Sequence, residues 1–257
     1  MKTPIVMVAF GTTSNAITTY RHIGEKVKEH FPDHKIFWSF SSRIITERLQ
    51  WEGQEKAQLP EELFCRLAER GYTSAVVQSL HLFPGTEFSS LKTVMERAEL
   101  SCIPGSPLIS SPEDYTEICR VLQPFMSTSP EKATLVLGHG TYHPTWTAYY
   151  CLEAFLRRRF GQHIFVGVVE KYPESKSLVD EISAAGYKKV HIIPFFLVAG
   201  MHYRRDIAGD DESSWRTRFI KREINIETMD HGLGMLPGFD KIIIRHIEAA
   251  IRKNNIL

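Results

Sequence analysis

Short apolar runs alternate with amphipathic, helix-length segments along most of the chain. The runs are nearly continuous, for example at residues 5–9 and 134–137, and turn residues such as glycine bound them. Runs of this kind are typical of strands in a parallel sheet that helices cover on both faces. The pattern therefore predicts an α/β protein built from βαβ units.

The same pattern occurs twice, because each half has an apolar run ending in Gly-Thr, then a second run, then a Gly-Tyr turn. The repetition predicts two pseudo-equivalent, Rossmann-like lobes, each with a parallel sheet flanked by helices. The matched segments are IVMVAFGT at 5–12 with TLVLGHGT at 134–141, IFWSFSS at 36–42 with IFVGVVE at 164–170, and the turns at Gly71 and Gly186.

Linker composition predicts where one lobe ends and the next begins. A Pro/Ser-rich stretch runs from Ser127 to Glu131. We therefore expect an N-terminal lobe at 1–128 and a C-terminal lobe at 129–257. The last helical pattern, Phe239 to Lys253, is a candidate to pack back across the boundary.

Charge and composition exclude several classes of protein. Lys and Arg number 31 against 30 Asp and Glu, so no overall field attracts the chain to nucleic acid or an anionic membrane. No apolar run approaches the roughly 20 residues that cross a bilayer. The four cysteines lack C-x-x-C spacing, which favours the cytoplasm over an oxidising compartment. Neither half has a nucleotide-binding glycine motif, so no nucleotide is expected.

Chemistry is expected where the strands end. Ligands of parallel α/β sheets bind beyond the carboxyl ends of the strands, which predicts an active-site cleft between the two lobes. The second half places two imidazoles and a carboxylate at three such ends, a set that suits Co2+, Fe2+, Ni2+ or Zn2+. The repeat pairs Phe10 with His139, Ser42 with Glu170, and Glu87 with His202.

Most of these residues also have a structural interpretation. Glu170 is placed to cap the following helix, and Glu87 lies where a helix begins. His202 has Asp206 as a candidate partner four residues later. Core packing explains His139 poorly, because it lies between two glycines at a strand end.

The motifs together resemble one known family. The stretch AGMHYRRDIAGDDESSW at 199–215 has a Gly-x-His segment followed by Asp-hydrophobic-Ala-Gly-Asp and Ser-Trp. With VAFGTT, LHLFPGTEF and LVLGHGT, it is similar to the anaerobic cobalt chelatases of the CbiK type. These belong to the class II chelatase fold, which also includes ferrochelatases. The resemblance covers nearly the whole chain.

That resemblance implies roles for particular residues. His139 and His202 would be the catalytic pair that handles metal and protons, and Glu170 would complete the metal site. Glu87 matches the acid that ends the family's H-x-x-x-G-x-E stretch. We expect Glu87 to lie in the cleft opposite His202 and to accept pyrrole protons or orient the ring.

Two departures from the family pattern bear on the choice of metal. Thr86 and Met201 stand at positions where the family often has acids, which lowers the local negative charge. Arg204 and Arg205 are candidates to bind substrate carboxylates. His81 ends a predicted strand and is either an extra ligand or a buried structural histidine.

The expected function is therefore that of a cytoplasmic metal chelatase, in the lyase class. It would insert Co2+ into a sirohydrochlorin-type tetrapyrrole for anaerobic cobalamin biosynthesis. A ferrochelatase or nickel chelatase on the same fold remains an alternative, because the ligand set does not choose among these ions. A non-catalytic metal or haem carrier is a second alternative. The sequence leaves the oligomeric state open, with a homo-oligomer among the alternatives.

Overall fold

A computed structural model describes most of the chain, namely residues 2–49, 57–127, 129 and 131–254. The chain divides into two compact units. One comprises Met1–Asp114 together with Pro237–Leu257, and the other comprises Tyr115–Leu236. This division differs from the boundary expected at residue 128. Thr128 and Pro130, in the expected linker, lie outside the described residues.

The first unit is built around a parallel sheet of four strands in the order β2-β1-β3-β4. Its central strand, β1, is buried along its whole length, as expected for a strand with helices on both faces. The strands are β1 (Ile5–Ala9), β2 (Ile36–Phe40), β3 (Ser74–Ser79) and β4 (Ser101–Pro104), and the helices between them are α1 (Thr18–His30), α2 (Arg43–Arg48), α3 (Pro60–Glu69) and α4 (Thr86–Glu96).

The second unit repeats this architecture with a parallel sheet in the order β6-β5-β7-β8. A single π-helical turn, Tyr203–Ile207, follows its third strand in sequence. The helices are α5 (Pro112–Leu122), whose first turn belongs to the first unit, α6 (Thr147–Phe160), α7 (Leu178–Ala184) and α8 (Trp215–Ile220), and the strands are β5 (Lys132–Gly138), β6 (Ile164–Val168), β7 (Lys189–Pro194) and β8 (Asn225–Thr228).

The duplication extends to single hydrogen bonds at the strand ends. In each unit, residues that follow the two neighbours of the central strand donate to equivalent carbonyls at the end of that strand. The corresponding bonds are Ser42 N to Phe10 O (3.3 Å) with Glu170 N to His139 O (3.1 Å), and Leu80 N to Val8 O (2.8 Å) with Phe195 N to Leu137 O (2.7 Å). The predicted pairing of the two halves is confirmed at this level.

The last helix, α9 (Phe239–Asn254), matches the predicted element to within one residue. It packs against α1, β3 and β4, and it buries Ile242, Ile243 and Ile247 completely or nearly so. The C-terminal segment thus returns to the first sheet. Conversely, most of α5 joins the second unit, where Tyr115 stacks on Phe155 at 5.1 Å between ring centroids. None of the helices in the described ranges is both long and apolar enough to cross a membrane.

A buried carboxylate ties α9 to the start of α5. Asp114 is 0% exposed, and it accepts hydrogen bonds from Arg245 Nη2 (2.6 Å), His246 Nε2 (2.9 Å) and the backbone N–H groups of Ser110 and Ser111 (2.9 Å each). Burial alone would raise the pKa of Asp114, but the bonds from His246 and Ser110 hold it well below its ordinary value. The carboxylate is therefore ionised throughout the physiological range.

Replacing this carboxylate should destabilise the first unit. We expect Asp114→Ala to lower the free energy of unfolding by about 3 kcal/mol at pH 7, because Arg245 and His246 lose a buried partner. The difference from the wild type should shrink as pH falls below about 4, where an ordinary Asp in the unfolded chain takes up its proton. Urea denaturation at pH 7 and pH 3 measures both effects. The control is Asp33→Ala, which removes an exposed pair with Lys2 and should change little.

Candidate metal site

Two imidazoles meet at the carboxyl ends of the second sheet. His139 directly follows β5, and His202 lies beyond β7, just before the π-helical turn. Their Nε2 atoms are 3.0 Å apart, and the ring centroids are 4.4 Å apart with the planes at 81°. Two nitrogens that bind one ion at 2.0–2.1 Å are separated by about 3 Å. The spacing therefore fits two ligands of a single divalent metal.

His139 is held by its own turn. Its Nδ1 lies 3.1 Å from the Gly140 carbonyl, which can only accept, so Nδ1 carries the hydrogen. Gly140 has φ 88°, and a Cβ there would lie 1.7 Å from the carbonyl oxygen of Glu170. Only glycine lets the turn after β5 pass this close to the segment that follows β6.

His202 is held by a carboxylate one turn later. Its Nδ1 lies 2.6 Å from Asp206 Oδ2, and the other carboxylate oxygen accepts a 2.7 Å bond from Arg205 Nε. Burial alone would raise the pKa of Asp206, but the bonds from Arg205 and His202 lower it. An ionised Asp206 can only accept, so Nδ1 of His202 also carries its hydrogen. This is the carboxylate–histidine pairing that orients imidazole ligands toward metals.

These partners leave both Nε2 atoms with lone pairs directed at each other. Two neutral rings cannot form a hydrogen bond in that arrangement, so a stable pair requires a positive charge between them. A proton or a divalent ion supplies it. Burial lowers the pKa of His139, the bond to Gly140 opposes this, and neighbouring His202 lowers it further. A lowered pKa favours metal over the proton at neutral pH.

Glu170 lies beside the pair but has another partner. Its Oε1 is 3.4 Å from His139 Nε2 and 2.9 Å from Lys171 Nζ. Burial alone would raise the pKa of Glu170, whereas Lys171 and then His139 lower it overall. Across the ranges that the structure describes, no three His, Cys, Asp or Glu side chains are arranged to hold one ion. Glu170 bonds to Lys171 instead, and the three-ligand set stays a prediction.

The other residues predicted for the site form no hydrogen bond or ion pair with the two imidazoles in the described part of the chain. Glu87 is exposed in the first turn of α4, and Arg204 is exposed in the π-helical turn. Arg205 already bonds to Asp206. His81 is half-buried, with Nδ1 2.8 Å from the Ser79 hydroxyl, and burial lowers its pKa. These contacts favour a structural role for His81 within the first unit.

Two residues that contact this site were not predicted as functional residues from the sequence. The sequence offered Asp206 only as a structural partner of His202, although an acid four residues after a histidine on a helix is a sign of an oriented imidazole. Lys171 had no such signal. Its partnership with Glu170 depends on a left-handed backbone at Lys171, φ 63°, which adjacency in the chain does not reveal.

Comparison with known proteins identifies the family. The family model for cobalt chelatase (CbiK) matches residues 3–252. The chain belongs to the CbiK cobalt chelatase family. Sirohydrochlorin cobaltochelatase from Salmonella typhimurium is 31% identical to this CbiK family member, with 98% of this chain and 97% of that protein covered.

A second relative agrees with this assignment, and a solved structure shows the same fold. Sirohydrochlorin cobaltochelatase CbiKC from Nitratidesulfovibrio vulgaris is 28% identical, with 97% of the family member and 91% of the relative covered. The structure of SirB from Bacillus subtilis with Fe3+ has a TM-score of 0.66 at 16% identity, and covers 99% of this chain and 98% of that one. The expected chelatase-like α/β fold is therefore confirmed.

The close approach at Gly140 can be tested with a matched glycine. Gly140→Ala should lower the melting temperature and weaken Co2+ binding, because its Cβ would collide with the Glu170 backbone. Gly186 has nearly the same φ, 86°, but nothing within 4 Å of an added Cβ. Gly186→Ala should therefore cost only the left-handed strain of about 1 kcal/mol. Thermal melting and Co2+ titration calorimetry compare the two, and equal effects would contradict the steric argument.

The Asp206 carboxylate can be tested through metal affinity. Asp206→Asn should weaken Co2+ binding by about ten-fold or more, because a neutral amide orients His202 less firmly and makes it less basic. Calorimetric titration with Co2+ measures this directly. The control is Asp210→Asn, since Asp210 is 88% exposed and pairs with Arg216. Wild-type affinity in Asp206→Asn would show that the carboxylate only supports the backbone.

Proposed function

We propose that this chain is a sirohydrochlorin cobaltochelatase, a lyase that inserts Co2+ into the tetrapyrrole during cobalamin biosynthesis. The observation that carries the proposal is the His139–His202 pair in a member of the CbiK family, with Nε2 atoms 3.0 Å apart. The names of the relatives supply the substrate and the metal. We place the protein in the cytoplasm, where its four free thiols stay reduced.

Metal capture is assigned to the second unit. His139 and His202 bind Co2+ through Nε2, and each ring is fixed through Nδ1 by Gly140 or Asp206. Glu170 joins them when its carboxylate exchanges Lys171 for the ion, which brings a negative charge against the divalent cation. Open coordination positions then face the macrocycle.

The chemical step exchanges the metal for protons. The macrocycle loses two pyrrole protons as its nitrogens replace the protein ligands on Co2+, and the released imidazole pair can accept one of these protons between its Nε2 atoms. We assign Glu87 to the same task, as an acid of the first unit that accepts a pyrrole proton or orients the ring. Arg204 remains a candidate for a substrate carboxylate. Arg205 is a weaker one, since its guanidinium bonds to Asp206.

Turnover tests the activity itself. Purified protein, Co2+ and sirohydrochlorin are mixed, and the absorbance change of the macrocycle is followed. Multiple turnovers are expected, with Fe2+ and Ni2+ as competing ions. Faster insertion of Fe2+ or Ni2+ would change the metal assignment. Tight binding without metallation would instead identify a carrier.

Ligand replacement tests the residues. His139→Ala and His202→Ala should each reduce Co2+ insertion by roughly 100-fold or more, because a metal ligand is lost. Thermal stability should hardly change, since His139 is 40% exposed and little apolar area is removed. His231→Ala is the control, because His231 is 42% exposed and bonds only to neighbouring Asp230 among the described residues.

Replacement of the acid separates its two roles. Glu170→Gln should reduce Co2+ insertion as much as His139→Ala and His202→Ala do if the carboxylate binds the ion directly. The reduction should be clearly smaller if the carboxylate only adds negative charge nearby. Initial rates and melting curves are measured for all four variants. Full activity in His139→Ala or His202→Ala, or unfolding of either variant, would remove the assignment.

A further inference from the structure

A pocket of about 340 Å³ opens beside the histidine pair within the second unit. The segment after β6 forms one wall, and the residues around the start of α8 form another. Glu170 and Asp206 line this pocket and also contact His139 and His202, respectively. The pocket is therefore continuous with the candidate metal site.

The carboxylates of the pocket already have partners. Glu170 bonds to Lys171, and Asp206 bonds to His202 and Arg205. Glu174, the third acid, accepts the backbone N–H groups that follow it, at 3.0 and 2.8 Å. A cation entering the pocket would have to displace one of these bonds.

Arg218 and Lys176, two cations of the pocket, have fewer polar partners than the acids. Arg218 lies over the ring of buried Trp215, 4.7 Å from its centroid, and donates through Nη2 to the Lys176 carbonyl. In the described part of the chain, no carboxylate lies within ion-pair distance of Arg218 or of the exposed Lys176 ammonium. A guanidinium has five N–H donors, so most of those of Arg218 remain free. Burial lowers the pKa of Arg218, and the more distant charges of Asp180 and Glu174 oppose this shift.

We propose that this pocket binds a peripheral carboxylate of the tetrapyrrole, with Arg218 as the bidentate donor and Lys176 as a second cation. The inference rests on the proposed function. The contact with Trp215 limits the movement of the guanidinium, and the planar donor fork of arginine suits a carboxylate. The carboxylate would anchor one edge of the ring beside Glu170.

Substrate kinetics test the subsite. Arg218→Gln should raise the KM for sirohydrochlorin by roughly ten-fold, because a charge-assisted bidentate contact is lost. The KM for Co2+ and kcat should stay near the wild-type values, because the metal ligands are intact. Arg218→Lys should recover only part of the affinity, since Lys lacks the fork. Arg222→Gln is the control. It removes the same charge, but Arg222 pairs with Asp180 and does not line the pocket.

A modified substrate separates direct contact from indirect effects. Metal-free binding is measured for sirohydrochlorin and for a derivative whose carboxylates are converted to carboxamides. The wild type should bind the native macrocycle more tightly than Arg218→Gln does, and this difference should vanish with the carboxamide. If Arg218→Gln does not fold, the same binding measurements are made on Lys176→Gln. This variant should also bind sirohydrochlorin more weakly than the wild type, by a smaller factor.

Failure of this inference is distinct from failure of the proposed function. Wild-type turnover with unchanged sirohydrochlorin affinity in a folded Arg218→Gln variant overturns the subsite alone. The same holds if the carboxamide keeps the full difference between wild type and variant, because the effect would then not involve a carboxylate. Absence of turnover in the wild type, by contrast, overturns the chelatase assignment itself.

Discussion

The site depends on holding two imidazole nitrogens against each other with their lone pairs opposed. This arrangement is unfavourable unless a positive charge lies between the rings, so the surrounding groups must maintain it. The Gly140 carbonyl fixes one ring and the Asp206 carboxylate fixes the other. Because each Nδ1 is committed, neither ring can avoid the repulsion by exchanging tautomers. The folded geometry of the two rings therefore favours a cation between their Nε2 atoms.

The fold and the positions of the main site residues could be predicted because they depend on repeated backbone patterns. Apolar runs defined the strands, and the Gly-Thr and Gly-Tyr turns fixed the alignment of the halves. Equivalent hydrogen bonds show that Phe10 corresponds to His139 and that Ser42 corresponds to Glu170. One scaffold position thus carries an exposed phenyl ring in one unit and an imidazole in the other.

Contacts that depend on irregular backbone could not be predicted in this way. Lys171 bonds to the adjacent Glu170 and has a left-handed backbone. This contact leaves no periodic signal in the sequence. The division of the chain into units differs from the expected boundary for a related reason. Amphipathic periodicity shows that α5 and α9 each bury one face, but it does not show which sheet receives that face.

The return of α9 to the first sheet has a consequence for synthesis on the ribosome. The residues of the second unit are contiguous, from Tyr115 to Leu236, so that unit can close as soon as its own segment has emerged. The first unit is synthesised earlier, but its fold is complete only after α9 packs against β3 and β4 and buries Ile242, Ile243 and Ile247. Folding during translation would therefore finish in the reverse of the usual N-terminal-first order. Until then, an apolar face of the earlier sheet stays open to chaperones.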